Sequence, residues 1–155
     1  MLKFIQKITQ YWVPIGKRVV IIGGEIQGAE LAEFLVKRGR MVSIVALNDK
    51  PIGFGLPRRK QQLLVEWLGE KGAPMFSEAT CERVSKKGVH IVTKEGENKF
   101  LEADTIIPAI PFQPNNELFN ILKAKVQEIY HIGDGNEPNL IVDAVAQGWS
   151  VGNAI

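Results

Sequence analysis

KRVVIIGGEIQGAELAEFLVKRG, residues 17–39, decides the fold. Val19, Val20, Ile21 and Ile22 form a short β-branched run of the kind found in a strand covered on both faces. Gly23 and Gly24 break the run. From Gly28 onward Ala29, Leu31, Ala32, Phe34 and Leu35 recur at helical spacing, and Gly39 stops the helix. A strand, a glycine turn and a helix open a βαβ unit. In that arrangement free backbone N–H groups and the positive end of the helix dipole face a dinucleotide pyrophosphate.

The match to G-x-G-x-x-G is incomplete. Gly23 holds the first glycine position and Gly28 the third, but the second is Glu25. A glycine there lets the backbone approach the pyrophosphate. A carboxylate brings a like charge instead. At about 4 Å and an effective dielectric of about 20, two like charges cost roughly 4 kcal/mol. A helix N-terminus returns only about 0.3–1 kcal/mol, up to about 2. Two readings of Glu25 stay open: an anion favoured by the helix N-terminus itself, or a functional but weakened site.

Outward from this unit, Met41 to Val45 is the second parallel strand. Nicotinamide-binding folds place an acid at the end of this strand for the adenosine ribose hydroxyls. Ala46 stands there, with Asn48 and Asp49 following in the loop. No arginine follows the strand to favour a 2′-phosphate. Lys50 to Pro57 is a Pro/Gly-rich loop, either a cover for a ligand or a plain connection. Residues 59–71 predict a helix with Leu63, Leu64, Trp67 and Leu68 on its buried face, and Met75-Phe76 a short strand.

Residues 80–103 change character. Three short runs, 81–85, 89–93 and 99–103, are divided by Lys87-Gly88 and Glu95-Gly96, which predicts an antiparallel meander. Residues 103–109 return as a buried strand. Glu117 to Leu122 is a short helix, and Tyr130-His131-Ile132 a last strand closed by Gly133-Asp134-Gly135. Leu140 to Ile155 is a terminal helix burying Ile141, Ala144, Val145 and Val151. Residues 1–12 have the apolar spacing of an amphipathic helix packing on protein. The fold class is therefore α/β: a Rossmann-like three-layer pyridine-nucleotide-binding fold, with a central parallel sheet and a three-stranded antiparallel meander.

Composition narrows the function. The 155 residues suit one domain with a small appendage, and 45% hydrophobic with 23% charged is ordinary for a globular protein. A net charge of +2 with scattered basic residues argues against a nucleic-acid partner. A single cysteine, Cys81, excludes an internal disulfide and a C-x-x-C pair. It reads as a small apolar residue. No apolar run reaches membrane-spanning length, so a cytoplasmic location is the default expectation. His90 and His131 read as core or edge histidines.

Three blocks in order resemble one family: VVIIGGEIQGAELAEFLVKRGR, EADTIIPAIPFQPN and IYHIGDGNEPNLIVDAVAQGW. They are similar to the C-terminal half of the flavoproteins of the NADH:flavin oxidoreductase, 2-enoate reductase and 2,4-dienoyl-CoA reductase group, relatives of trimethylamine dehydrogenase. The resemblance spans about residues 12–155. It implies that Gly23, Gly24 and Gly28 line the pyridine-nucleotide pyrophosphate and that Asp134 falls where a Gly-Asp motif contacts the FAD ribityl chain. Glu25 and Ala46 are departures from the family pattern. The FMN barrel, its cysteine cluster and the first FAD half are not in this sequence. The alternative reading of Asp134 is the cap of a turn.

The implied organisation is an N-terminal helix or linker (1–16), an NAD(P)-binding-like domain (17–125) and a strand and helix resembling the end of an FAD domain (126–155). The implied cofactors are NAD(H) or NADP(H) in a weakened site, with FAD in the parent enzyme. The implied partners are flavin-bearing domains or subunits. The expected function is to position a nicotinamide for hydride transfer to a flavin held elsewhere, without turnover alone. An excised domain and a stand-alone remnant both fit the sequence. The alternatives are a degenerate, nucleotide-free module with a structural or interaction role, and binding of ADP or AMP in the same crevice.

Overall fold

The structure, a computed structural model, describes residues 14–155. The helix expected over 1–12 lies outside the described residues. The chain divides into two compact units, one ending at Ile110 and one formed by Pro111–Ile155.

The first unit is built on a four-stranded parallel sheet. Strands β1 (Arg18–Ile22), β2 (Met41–Val45), β3 (Met75–Phe76) and β7 (Thr105–Pro108) lie in the order β3-β2-β1-β7. Helix α1 (Ile26–Val36) crosses from β1 to β2, and α2 (Arg58–Glu70) from β2 to β3. A separate antiparallel sheet, β4 (Thr80–Ser85), β5 (Gly88–Val92) and β6 (Asn98–Glu102), fills the connection from β3 to β7. It carries a register shift between Cys81 and Arg83.

Alternation along β1 sorts its side chains onto two cores. Val19 and Ile21 face the helices, with Ala29, Ala32, Leu35, Leu64 and Leu68. Val20 faces the meander, with Val45, Ala79, Val89, Ile91 and Ala103. Helices, parallel sheet and meander are the three layers the sequence predicts. Because both faces are covered, β1 is apolar throughout its centre.

Long-range polar contacts fix the register of β7. The Arg18 backbone N–H donates to Asp104 Oδ2 at 2.9 Å, and its guanidinium donates to Oδ1 through Nη2 at 2.6 Å. The Gly16 N–H donates to Thr105 Oγ1 at 2.9 Å. The Arg18 fork holds the Asp104 carboxyl down to about 2, and Arg18 itself is raised by the same hydrogen bond.

Several sequence expectations need correction. Helix α1 starts at Ile26, two residues before Gly28, with Glu25 at its N-cap position and no side-chain capping hydrogen bond. On α2 Leu64 and Leu68 are buried, Trp67 is half-buried, and Leu63 is 58% exposed because its face turns from the sheet. β7 is half-buried, since it is an edge strand paired only with β1 among the described residues.

The second unit holds α3 (Glu117–Leu122), a single 3-10 turn (Gly133–Gly135) and α4 (Ile141–Gly152). Tyr130-His131-Ile132 forms no strand: within this unit there is no neighbouring strand to take its backbone groups. The Phe119 and His131 rings stack at 4.7 Å, and the Gly133 N–H donates to Gln147 Oε1 at 2.8 Å. α4 therefore turns Ala144, Gln147 and Gly148 inward. The expected buried residues Ile141 and Val145 are exposed, as are Val142 and Trp149. No residue of 111–155 is fully buried. A unit of 45 residues has too little interior to cover a second apolar stripe.

Candidate functional site

The glycine turn sits where the C-terminal ends of β1, β2 and β7 meet. The Gly23 N–H donates to Val45 O at 2.8 Å, and the Ala109 N–H donates to Ile22 O at 2.7 Å. Gly23 has φ +124°, and a Cβ added there would stand 2.0 Å from Ala109 O. At Gly28 an added Cβ would stand 2.0 Å from Gly23 O, so the helix start rests directly on the turn. These are the tight-turn and helix–strand packing roles of the first and third motif glycines. Gly24 is hemmed by Ile52 and Ala46, whose side chains lie 2.6 and 2.7 Å from the place of its absent Cβ.

The loop after β2 closes on this turn. The Gly53 N–H donates to Gly24 O at 2.6 Å, and the Ile26 N–H donates to Phe54 O at 2.8 Å. Ile52 and Leu56 are buried, and Gln61 Nε2 holds Ile52 O at 2.8 Å. The loop is thus a packed part of the site, and its carbonyl satisfies one of the orphan donors at the N-terminus of α1.

Glu25 neither swings out to water nor faces the turn alone. Its Oε1 accepts from Asn48 Nδ2 at 3.0 Å and from Lys50 Nζ at 3.1 Å. Its side chain is only 16% exposed. Lys50 also lies over the Phe54 ring, 4.7 Å from its centroid. A cation beside the carboxylate offers an incoming phosphate an attraction that opposes the repulsion from Glu25. Glu25 has φ −72°, ordinary extended backbone, so its side chain costs no strain. With the turn intact and the charge compensated, the residues fit a pyridine nucleotide's pyrophosphate, with one N–H fewer to offer it.

The structure brings Gly23, Gly24, Glu25, Gly28 and Ala46 to one place. Ala46 is buried at 1% exposure against Gly24. Asp134 belongs to the other unit, exposed in the Gly133–Gly135 turn. His90 contacts the Phe100 ring at 4.6 Å and Arg83 Nη2 at 3.1 Å, as an edge histidine does. Cys81 is half-buried beside the meander core. Sequence reasoning missed Lys50. The available signal was a cation in the loop leaving β2, across the chain from an acid in the glycine turn.

Among the described residues no three His, Cys, Asp or Glu side chains gather to hold a metal ion, and no helix is long and apolar enough to cross a membrane. A groove of about 790 Å³ includes Lys37, Leu63 and Trp67 in its lining, but no residue of the glycine turn.

The chain is 31% identical over 139 residues to the rubredoxin-NAD(+) reductase of Acinetobacter baylyi, covering 79% of this chain and 35% of that protein. It is 29% identical over 136 residues to an NADH oxidase of Thermoanaerobacter brockii, covering 87% and 21%. It thus spans about a fifth to a third of these relatives, both oxidoreductases by name. Its fold matches a 2-naphthoyl-CoA reductase complex with a TM-score of 0.78 at 24% identity, over 96% of this chain and 23% of that one. Thioredoxin reductase from T. acidophilum matches with a TM-score of 0.67 at 22% identity, over 92% and 52%. The family model for pyridine nucleotide-disulphide oxidoreductases matches residues 2–148, and the chain belongs to that family.

Proposed function

We propose that this chain is the NAD(P)H-binding domain of a flavin-dependent oxidoreductase of the NADH:flavin oxidoreductase, 2-enoate reductase and 2,4-dienoyl-CoA reductase group. The observation that carries this reading is the compensated glycine turn. Gly23 and Gly28 keep their close contacts, and the charge of Glu25 is met by Lys50 at 3.1 Å. This pairing weakens the charge objection behind a nucleotide-free module.

When bound, a reduced nicotinamide supplies the hydride. The chain's own part is to bind and orient. Gly23, Gly24 and Gly28 bring backbone to the pyrophosphate, and Asn48 and Lys50 hold the Glu25 carboxylate to one side. We assign no side chain to acid–base or covalent chemistry. Only the closing block, residues 126–155 with Asp134, resembles part of a flavin domain, so we place the flavin on another domain. The exposed apolar residues Ile141, Val142, Val145 and Trp149 of α4 support a chain that works against such a neighbour.

Calorimetric titration of the purified chain with NADH at low salt tests the reading. Saturable binding with Kd between about 1 μM and 1 mM is expected. No heat at millimolar NADH refutes it.

A further inference from the structure

The end of β2, where an acid would meet the adenosine ribose, holds Ala46. That position is closed: Ala46 is 1% exposed and packed on Gly24. Yet a carboxylate does stand beyond the end of β2. It arrives from the other side, carried by Glu25 of the glycine turn and fastened to Asn48 and Lys50, two and four residues past Ala46. Both hydrogen bonds fall on Oε1. Oε2 has no hydrogen-bond partner among the described residues, and the side chain keeps some exposure.

We propose that Glu25 is the adenosine-ribose acceptor of this chain, replacing the missing acid of β2, and that it selects NAD(H) over NADP(H). This rests on the nucleotide-binding reading above. A vicinal diol offers O–H donors to a carboxylate, whereas a 2′-phosphate offers only negative charge. The neighbouring charges point the same way. Lys50 is engaged by Glu25 and the Phe54 ring. Lys94 is engaged by Glu78, whose backbone N–H donates to Asn48 O at 3.3 Å, and Asp49 adds a further carboxylate beside Lys94. Glu25, Asp49 and Glu78 together outnumber Lys50 and Lys94, so this corner offers a 2′-phosphate no net positive charge.

The test is calorimetry on the whole chain with NADH, NADPH, ADP and 2′-deoxy-ADP. The wild type is expected to prefer ADP over 2′-deoxy-ADP by about tenfold, the value of one charge-assisted hydrogen bond, and to prefer NADH over NADPH. Glu25→Gln, with its melting temperature checked against the wild type, should bring the ADP preference below about threefold. NADH binding without discrimination between ADP and 2′-deoxy-ADP, measured on the wild type alone, overturns the inference and leaves the nucleotide-binding reading standing. Tighter NADH binding by Glu25→Gln also overturns it, because the side chain would then obstruct the site. No NADH binding at all removes both.

Discussion

Replacing Gly23 with alanine tests the frame on which the site rests. The new methyl carbon would lie 2.0 Å from Ala109 O, about 1.4 Å inside ordinary contact. Neither side can give easily. The Gly23 N–H is tied to Val45 O at 2.8 Å, and the Ala109 N–H to Ile22 O at 2.7 Å. Relief breaks at least one of these bonds, at about 1 kcal/mol. A φ of +124° is also a region that L-residues avoid, at a cost of about 1–3 kcal/mol. The expected loss is therefore about 2–4 kcal/mol. Gly39→Ala is the control. It shares a positive φ, +73°, but an added Cβ there meets nothing within 4 Å. Its cost is about 1–2 kcal/mol. Urea unfolding followed by circular dichroism measures both. If Gly23→Ala costs no more than Gly39→Ala, the turn is not wedged between β2 and β7, and the argument from close approach fails.

Two further outcomes follow from packing and charge. Leu68→Ala, at a fully buried position facing the sheet, should cost about 2–5 kcal/mol, and Leu63→Ala, on the exposed face of the same helix, about 0.5 or less; paired denaturation curves decide it. Asp104 is depressed in the folded chain to about 2 by its hydrogen bond to Arg18, against about 3.9 when unfolded. Its stabilising share is therefore full above pH about 4 and lost as pH falls toward 2. Asp104→Asn should unfold more readily than wild type at neutral pH, with the gap closing across that acid window in a pH series of melts.

Much of the first unit was legible because its signals are local. The run Val19–Ile22, the glycines at 23, 24 and 28 and the alternating segments of the meander each specify their own element. Glu25 shows where local reading ends. The carboxylate and its repulsion are plain in the sequence, but the lysine that pairs with it lies 25 residues away on a loop whose path only folding determines. The second unit failed for a different reason. Residues 130–132 have strand composition and α4 an apolar stripe, but composition states a preference, and a strand or a buried face also needs something opposite. Unit 111–155 supplies neither.

The seating of β7 bears on how the chain is made. β1 can pair with β2 once residues 41–45 have emerged, yet its other edge stays bare until residues 105–108 emerge, 86 positions after their partners on β1. At about 5–20 residues per second this interval lasts several seconds on a ribosome. Throughout it, an apolar strand presents unpaired backbone groups that another chain can capture. The Arg18–Asp104 clasp ends that exposure. It serves as the latch of a non-local closure, the kind of pairing that forms slowly.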